Sequence, residues 1–424
     1  MKFGLIAERV GHSFSAELHR LIGEYSYELQ EVAPDELPSF MKAQNFLGIN
    51  VTIPYKKTVI PFLDHISDTS KAIGAVNTIV RRNDELYGYN TDYGGMCALI
   101  RHMGLDFSGK KVLILGTGGT GKTARAVAKT LGAGEIVPVS RTAKNCAVTY
   151  DEAYKHHTDA EFLINTTPCG MFPDPDVTPI DLEPFKTLRG VVDVVYNPLS
   201  TRLVCDARER GIIAQGGLYM LVKQAVLSAE LFTGHCLDAG LTDRIYRLIL
   251  QEKQNIVLIG MPGCGKTSVG GKIAQVLHRT FVDLDQLIVS HAGKSIAGIF
   301  REDGESCFRT LETQAVRDIS RQTGLVIATG GGCVLRRENV EMLRRNGLLF
   351  FLDRPLSGLF PTADRPLADS TEKIKALYTQ RRPVYEDAAD KRVPVSGYVT
   401  DTALTVIRLF QEVQNDEVGG SKRA

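Results

Sequence analysis

Short, largely apolar runs separated by segments of helical period recur along the whole chain. They fall at Gly48 to Thr52, Val112 to Leu115, Glu135 to Val139, Phe162 to Ile164, Val191 to Val195, Ile256 to Ile259, Val326 to Ala328 and Leu348 to Leu352. Strands buried on both faces read as continuous apolar runs rather than alternating ones, and their alternation with helices is the βα rhythm of parallel sheets. The pattern predicts an α/β protein. The turn DFSGKK at 106 to 111 introduces one such strand, placing a boundary near 104. A second boundary is expected near 251 to 255, where the helical segment Leu241 to Leu250 runs into the polar QEKQN. No Gly/Ser-rich or Pro-rich tether separates the parts, no fixed-period repeat is present, and the tail NDEVGGSKRA is expected to be disordered.

At 424 residues the chain is long for one domain, so two or three are expected. With 50 Lys plus Arg against 49 Asp plus Glu the net charge is +1, which removes any bulk electrostatic argument for nucleic acid or acidic lipid. Basic clusters are therefore read as small-ligand sites. Eight scattered cysteines, none in C-x-x-C spacing, suggest neither a zinc site nor a disulfide framework and fit a reducing cytosol. No export segment and no uncharged apolar stretch of 18 residues is found, so a soluble cytoplasmic protein is expected.

One motif changes this picture. G-x-x-x-x-G-K-T occurs twice, at Gly116 to Thr123 and Gly260 to Thr267, each time between a strand and a helix. Such a loop turns backbone N–H groups toward phosphate. In the second copy, IVLIGMPGCGKTSVGGKIAQVL, Lys266 would reach the β/γ-phosphates and Thr267 would hold Mg²⁺. After it come FVDLD, where a strand would point Asp283 and Asp285 the same way, and FREDGESCFRTLE, with Arg309 and Glu312 on one helix face. TGGGC follows an apolar strand, and DRPL and RRPVYED supply Arg365 and Arg381.

In these residues, over about 255 to 415, the chain resembles shikimate kinase. The resemblance implies a P-loop α/β domain in which Gly260, Gly263, Gly265, Lys266, Thr267 and Ser268 bind ATP, with Arg365 reaching the phosphates from a lid. It further implies Mg²⁺ at Thr267 and Asp283, shikimate held by Asp285, Arg309, Gly331, Gly332 and Arg381, and Lys266 and Asp285 as the catalytic pair. The lid, FPTADRPLAD, lacks the additional arginine that the family often carries before R-P-L.

The first copy also spells G-x-G-x-x-G through Gly116, Gly118 and Gly121. A Walker reading needs a metal-binding Asp at a later strand end. A dinucleotide reading asks what ends the next strand, and the answer is Ser140-Arg141-Thr142 with Lys144 beyond and no acid, which favours a ribose 2′-phosphate and hence NADP. Residues 1 to 250 resemble shikimate dehydrogenase, through GHSFS at 11 to 15, NVTIPYK at 50 to 56, GAVNT at 74 to 78, GYNTD at 88 to 92, NTTPCGM at 165 to 171, DVVYNP at 193 to 198 and GLYMLVKQA at 217 to 225.

That resemblance implies a substrate domain over 1 to 103, with 216 to 250 packing back on it, and a Rossmann NADP domain over 104 to 215. Ser13 and Ser15 would bind the substrate carboxylate, Thr52, Asn77 and Gln224 its hydroxyls, with Tyr196 nearby, and Lys56 and Asp92 would form the catalytic pair. Gly116, Gly118, Gly119, Gly121, Ser140, Arg141, Thr142, Lys144 and Gly217 would hold NADP(H). The family's N-R-T-x-x-R reads Ser140-Arg141-Thr142-Ala143-Lys144-Asn145 here.

The two resemblances together imply a bifunctional enzyme whose partners are the small molecules 3-dehydroshikimate and shikimate. Two alternatives stay open: a relative such as quinate for one half, or one half as a silent ligand-binding regulatory module. Oligomerisation is not legible, and residues 416 to 424 are read as a flexible tail. His12, His19, His156 and His157 have no partner at catalytic spacing and are read as structural or surface residues, and Cys264 as a small filler of the loop.

Overall fold

A computed structural model describes residues 2–10, 14–143, 146–360, 370–395 and 397–418. It divides into two compact units, the first ending at Tyr246 and the second beginning at Arg247, within the helix Leu241–Lys253. That helix absorbs most of the polar stretch read as a boundary. The tail reading is corrected too, since the helix Val399–Val418 includes residues 415 to 418.

The first unit holds two sheets. One runs in the order Tyr27–Glu31, Phe3–Ala7, Gly48–Val51, Thr78–Arg82, Glu85–Tyr89, His65–Ile66. It is mixed, because Thr78–Arg82 is antiparallel to both neighbours. Asn83 and Asp84, both at positive φ (51° and 62°), make the two-residue turn of this hairpin, the backbone twist that suits a tight β-connection. The parallel rhythm read from the sequence did not anticipate it.

The other sheet is wholly parallel, in the order Ile213–Gln215, Gly190–Asp193, Phe162–Asn165, Lys111–Leu115, Glu135–Val139. Its strand order reverses at Lys111–Leu115, the switch point where open α/β sheets place ligands at the carboxyl edge. In the second unit a five-stranded parallel sheet runs Phe281–Asp283, Val326–Ala328, Asn255–Ile259, Gly347–Asp353, Lys391–Pro394. Each sheet has its own core; in the second unit Val257, Leu258, Leu349, Phe350 and Val393 are completely buried in it.

Two helices of the first unit, Thr91–His102 and Leu218–Thr233, pack unusually closely. A Cβ on Gly95 would stand 2.7 Å from the Met220 carbonyl oxygen, and one on Gly94 would stand 2.5 Å from Leu227 Cδ1, so the pair of glycines sets the approach. Asn90 caps the first of these helices by accepting from Tyr93 N–H, and its amide donates to Ala75 O at 3.0 Å. Among the described residues no helix is long and apolar enough to cross a membrane.

Candidate active sites

In the first unit a cavity of about 360 Å³ opens at the carboxyl edge of the mixed sheet. Ser15, Thr52, Lys56, Asn77, Asp92, Tyr196, Gly217 and Gln224, scattered over 210 positions of chain, all line it. Ser13 lies outside the described residues. Lys56 Nζ donates to Asp92 Oδ2 at 2.6 Å, with 24% and 14% of the two side chains exposed. Asp92 stands in the first turn of its helix, where the helix dipole favours a carboxylate. The pair is therefore fixed in place and half-shielded, yet open to a ligand.

Beneath the cavity lies a polar network that the sequence reading did not single out. Asn50 Nδ2 donates to Thr78 Oγ1 at 3.0 Å and Ser228 Oγ at 2.8 Å, while Asn50 Oδ1 accepts from Tyr27 O–H at 2.7 Å. Asn77 Oδ1 accepts from Thr91 N–H at 2.7 Å, and Ser228 O–H donates to Gln224 O at 2.9 Å. Ser228 thus ties the strand residues to the backbone of Gln224. Asn50, Thr78 and Thr91 lie inside motifs already quoted, but what they bind depends on Ser228, far away in sequence, so only folding reveals it.

The two Gly-rich loops differ physically. At Gly116 the φ is +104°, and a Cβ on Gly121 would stand 2.2 Å from Gly116 O, so loop and helix touch backbone to backbone. Thr123 is buried and its hydroxyl donates to Gly119 O at 3.3 Å, within the helix Gly119–Thr130. Lys122 is exposed, and the Lys57 ammonium facing it lowers its pKa. A buried threonine cannot meet a metal, so this copy is no Walker loop. Gly116 N–H donates to Val139 O at 2.9 Å, which sets the loop beside Ser140, Arg141 and Thr142 at the end of the neighbouring strand. Gly217 packs on Val194, where a Cβ would stand 2.2 Å from the carbonyl oxygen. Lys144 lies outside the described residues. Asp193, the acid at the end of the strand Gly190–Asp193 that a Walker reading would need for its metal, is fully buried and accepts from Asn165 Nδ2, Thr201 O–H and Val195 N–H at 2.9, 2.6 and 3.0 Å.

In the second copy Gly260, Gly263 and Gly265 all have positive φ (143°, 79° and 105°). Lys266 Nζ donates to Gly260 O at 2.8 Å and Met261 O at 3.0 Å, folded over its own loop. Thr267 and Ser268 are exposed, and Thr267 O–H donates to Asp283 Oδ2 at 2.7 Å. Asp283 also caps the helix Leu284–Ala292, its Oδ1 accepting from Asp285 N–H at 3.0 Å. The strand reading of FVDLD is therefore corrected: the strand ends at Asp283, whose carboxylate meets Thr267, and Asp285 stands in the first helical turn with Oδ1 beside Gly330.

The turn at residues 330–332 gathers the remaining residues. A Cβ on Gly330 would stand 2.8 Å from both Asp285 Oδ1 and Glu312 Oε1, and one on Gly332 would stand 2.3 Å from Arg309 Nη1. Arg381 Nη1 donates to Gly331 O at 3.1 Å, and Tyr385 O–H donates to the same oxygen. Gly331 in turn packs on Pro262 of the phosphate loop. Glu312 is fully buried, and burial raises its carboxyl pKa against the pull of Arg309, to which it is bonded at 2.8 Å. Glu305 holds the other side of the Arg309 guanidinium at 3.0 Å. Arg365 and the rest of 361–369 lie outside the described residues. Among those described, no cluster of three or more His, Cys, Asp or Glu forms a metal cage. A hydroxyl and one carboxylate beside a phosphate loop match Mg²⁺, which keeps waters and phosphate oxygens as ligands.

A reversing parallel sheet beside a Lys–Asp cavity is the arrangement of a nicotinamide-dependent dehydrogenase, and a P-loop abutting an arginine-lined turn that of a small-molecule kinase. The chain carries the two classes in tandem. Residues 5–79 match the family described as shikimate dehydrogenase substrate binding domain, and residues 262–410 the family described as shikimate kinase. The shikimate dehydrogenase (NADP(+)) of Clostridium beijerinckii is 35% identical over 265 residues, 59% of this chain and 98% of that protein. Among solved structures, a chorismate mutase/shikimate 5-dehydrogenase fusion protein from Clostridium acetobutylicum is 33% identical with a TM-score of 0.56, over 58% of this chain and 96% of that one. The Thermus thermophilus shikimate 5-dehydrogenase in complex with NADP(H) and shikimate is 30% identical with a TM-score of 0.53, over 58% and 99%. A 5-ketofructose reductase of Gluconobacter is 26% identical with a TM-score of 0.51, over 59% and 98%. The chain belongs to the shikimate dehydrogenase family and continues into a shikimate kinase domain.

Proposed function

We propose that the chain catalyses two consecutive reactions, reducing 3-dehydroshikimate to shikimate in its first unit and phosphorylating shikimate at the 3-hydroxyl in its second. The observation that carries this reading is the convergence of eight residues from six motifs on one cavity around the Lys56–Asp92 pair. NADPH, when bound along the Gly116 loop with Arg141 at the 2′-phosphate, supplies the hydride. As the carbonyl oxygen gains charge, the Lys56 ammonium gives it a proton, and Asp92 orients that ammonium. Thr52, Asn77 and Gln224 hold the ring hydroxyls, Tyr196 borders them, and Ser15, with Ser13, holds the carboxylate.

In the second unit MgATP supplies the phosphoryl group. Phosphoryl transfer needs positioning and charge neutralisation more than covalent chemistry. Arg309 and Arg381 grip the shikimate carboxylate, and Asp285 orients or accepts the proton of the attacking hydroxyl. Lys266 leaves its loop carbonyls for the phosphates, Thr267 and Asp283 hold Mg²⁺, and Arg365 completes the nucleotide site. We assign residues 1–103 with 216–250 to the substrate domain, 104–215 to the NADP domain and 255–415 to the kinase. The eight free cysteines support a reducing, cytosolic setting.

The test follows NADPH oxidation and phosphorylated product together, starting from 3-dehydroshikimate and MgATP. Lys56→Ala is expected to lower dehydrogenase kcat by about 10²–10⁴-fold, the usual worth of a positioned acid, with kinase turnover intact. Lys266→Ala is expected to do the converse. Either variant keeping its targeted activity removes the assignment.

A further inference from the structure

Of the 18 residues lining the cavity, three are charged: Arg9, Lys56 and Asp92. Lys56 and Asp92 neutralise each other at 2.6 Å, so among the described lining residues the uncompensated charge is the Arg9 guanidinium. Among the described residues Arg9 has no ion pair or hydrogen bond through its side chain. The acid that reaches its segment, Glu31, has Oε1 engaged by Val10 N–H at 2.8 Å. Arg9 stands two residues beyond the strand Phe3–Ala7, and Thr52 one residue beyond the parallel neighbour Gly48–Val51, with Thr52 N–H donating to Ile6 O at 3.2 Å. Arg9 and Thr52 thus leave the same sheet edge side by side, and Ser15 opens the helix Ser15–Ile22 on the same cavity.

A lone guanidinium in a cavity otherwise lined by neutral groups and a neutralised pair is complementary to one anionic group on the ligand. A planar guanidinium matches a carboxylate with two parallel hydrogen bonds. The fold by itself does not demand an acid, since a reductase of a neutral keto sugar shares it.

We propose that Arg9 is a further substrate-binding residue, pairing with the carboxylate of the ligand and giving the cavity its preference for acids over neutral ketones and alcohols. This rests on the reading of the cavity as the 3-dehydroshikimate and shikimate site. Arg9 takes no part in hydride or proton transfer, so its removal is felt in KM and hardly in kcat.

The test uses the full chain in the oxidation direction with NADP+, comparing shikimate with its methyl ester. In Arg9→Gln the KM for shikimate is expected to rise about tenfold, the low end for a hydrogen bond to a charged group, with kcat within about twofold and the ester's KM unchanged. Arg9→Lys should recover part of the loss, because it keeps the charge but not the two parallel hydrogen bonds. Added salt should raise the shikimate KM of the unmodified chain more than that of Arg9→Gln, because screening weakens a partly exposed ion pair. Equal changes for acid and ester overturn the proposal, as do an unchanged shikimate KM in Arg9→Gln and an Arg9→Lys variant as poor as Arg9→Gln. An unmodified chain that fails to oxidise shikimate overturns the cavity assignment and this inference together, whereas an active chain indifferent to Arg9 overturns this inference alone.

Discussion

His19 shows what burial does to one residue in this fold. It is 1% exposed and stacked on Tyr27 with ring centroids 3.8 Å apart, and its Nδ1 is 2.6 Å from Tyr25 Oη. Burial pushes its pKa from 6.5 down to about 3, only partly opposed by a hydrogen bond to Asn50. The unfolded chain therefore takes up a proton near pH 6.5 that the folded chain refuses until about pH 3, so stability is lost as pH falls through that window. One such proton sets a slope of up to about 1.4 kcal/mol per pH unit. Asp193 works in the opposite sense: burial raises its carboxyl pKa from 3.8 to about 6, so its contribution falls as pH climbs between those values. Urea midpoints measured from pH 7 to pH 4 should thus give a flatter acid limb for His19→Phe, which keeps the stacked ring, than for the unmodified chain. An unchanged limb would show that His19 is protonated when folded. The sequence reading of His19 as structural rested on the lack of a catalytic partner; its stacking and burial come from residues it meets only on folding.

At the scale of elements, the closely packed helices Thr91–His102 and Leu218–Thr233 carry Asp92 and Gln224 to the cavity. Their spacing is set by Gly94 and Gly95. Gly95→Ala would put a methyl 2.7 Å from the Met220 carbonyl, backbone that cannot swing aside as a side-chain tip can. The expected outcome is destabilisation of about 1–3 kcal/mol by overpacking, together with a raised KM for shikimate in the dehydrogenase and unchanged kinase kinetics. Thermal unfolding and the two assays check it; a wild-type dehydrogenase KM would mean that the helices separate without disturbing the cavity. The elements legible in the sequence were those with a buried apolar run, such as Val112 to Leu115 within Lys111–Leu115 and Leu348 to Leu352 within Gly347–Asp353. The edge strand Tyr27–Glu31, half-exposed and reading YELQE, gave no such signal. Asp285 was misread because apolar alternation cannot tell where a strand ends and the next helix, capped by Asp283, begins.

For the whole molecule, the described residues of each candidate site fall within one unit: every described lining residue of the cavity precedes Tyr246, and the phosphate loop and the turn at 330–332 both follow Arg247. Chains inactivated separately by Lys56→Ala and Lys266→Ala should therefore restore conversion of 3-dehydroshikimate to phosphorylated product when mixed, with free shikimate passing between them. No recovery in the mixture would mean that one site needs an intact partner site in its own chain. The sequence by itself determined the chemistry. Strand, glycine loop and helix, the lysines and acids, and the order of the motifs are local, and local spacing is enough to specify which groups a phosphate or a ketone requires. Tertiary structure decided which groups meet. Folding buried Thr123 while leaving Thr267 beside Asp283, so two loops with one spelling became two different sites. Folding likewise placed Ser228 under Asn50 and left Arg9, among the described lining residues, as the charge without a partner, because burial and proximity arise between segments far apart in sequence.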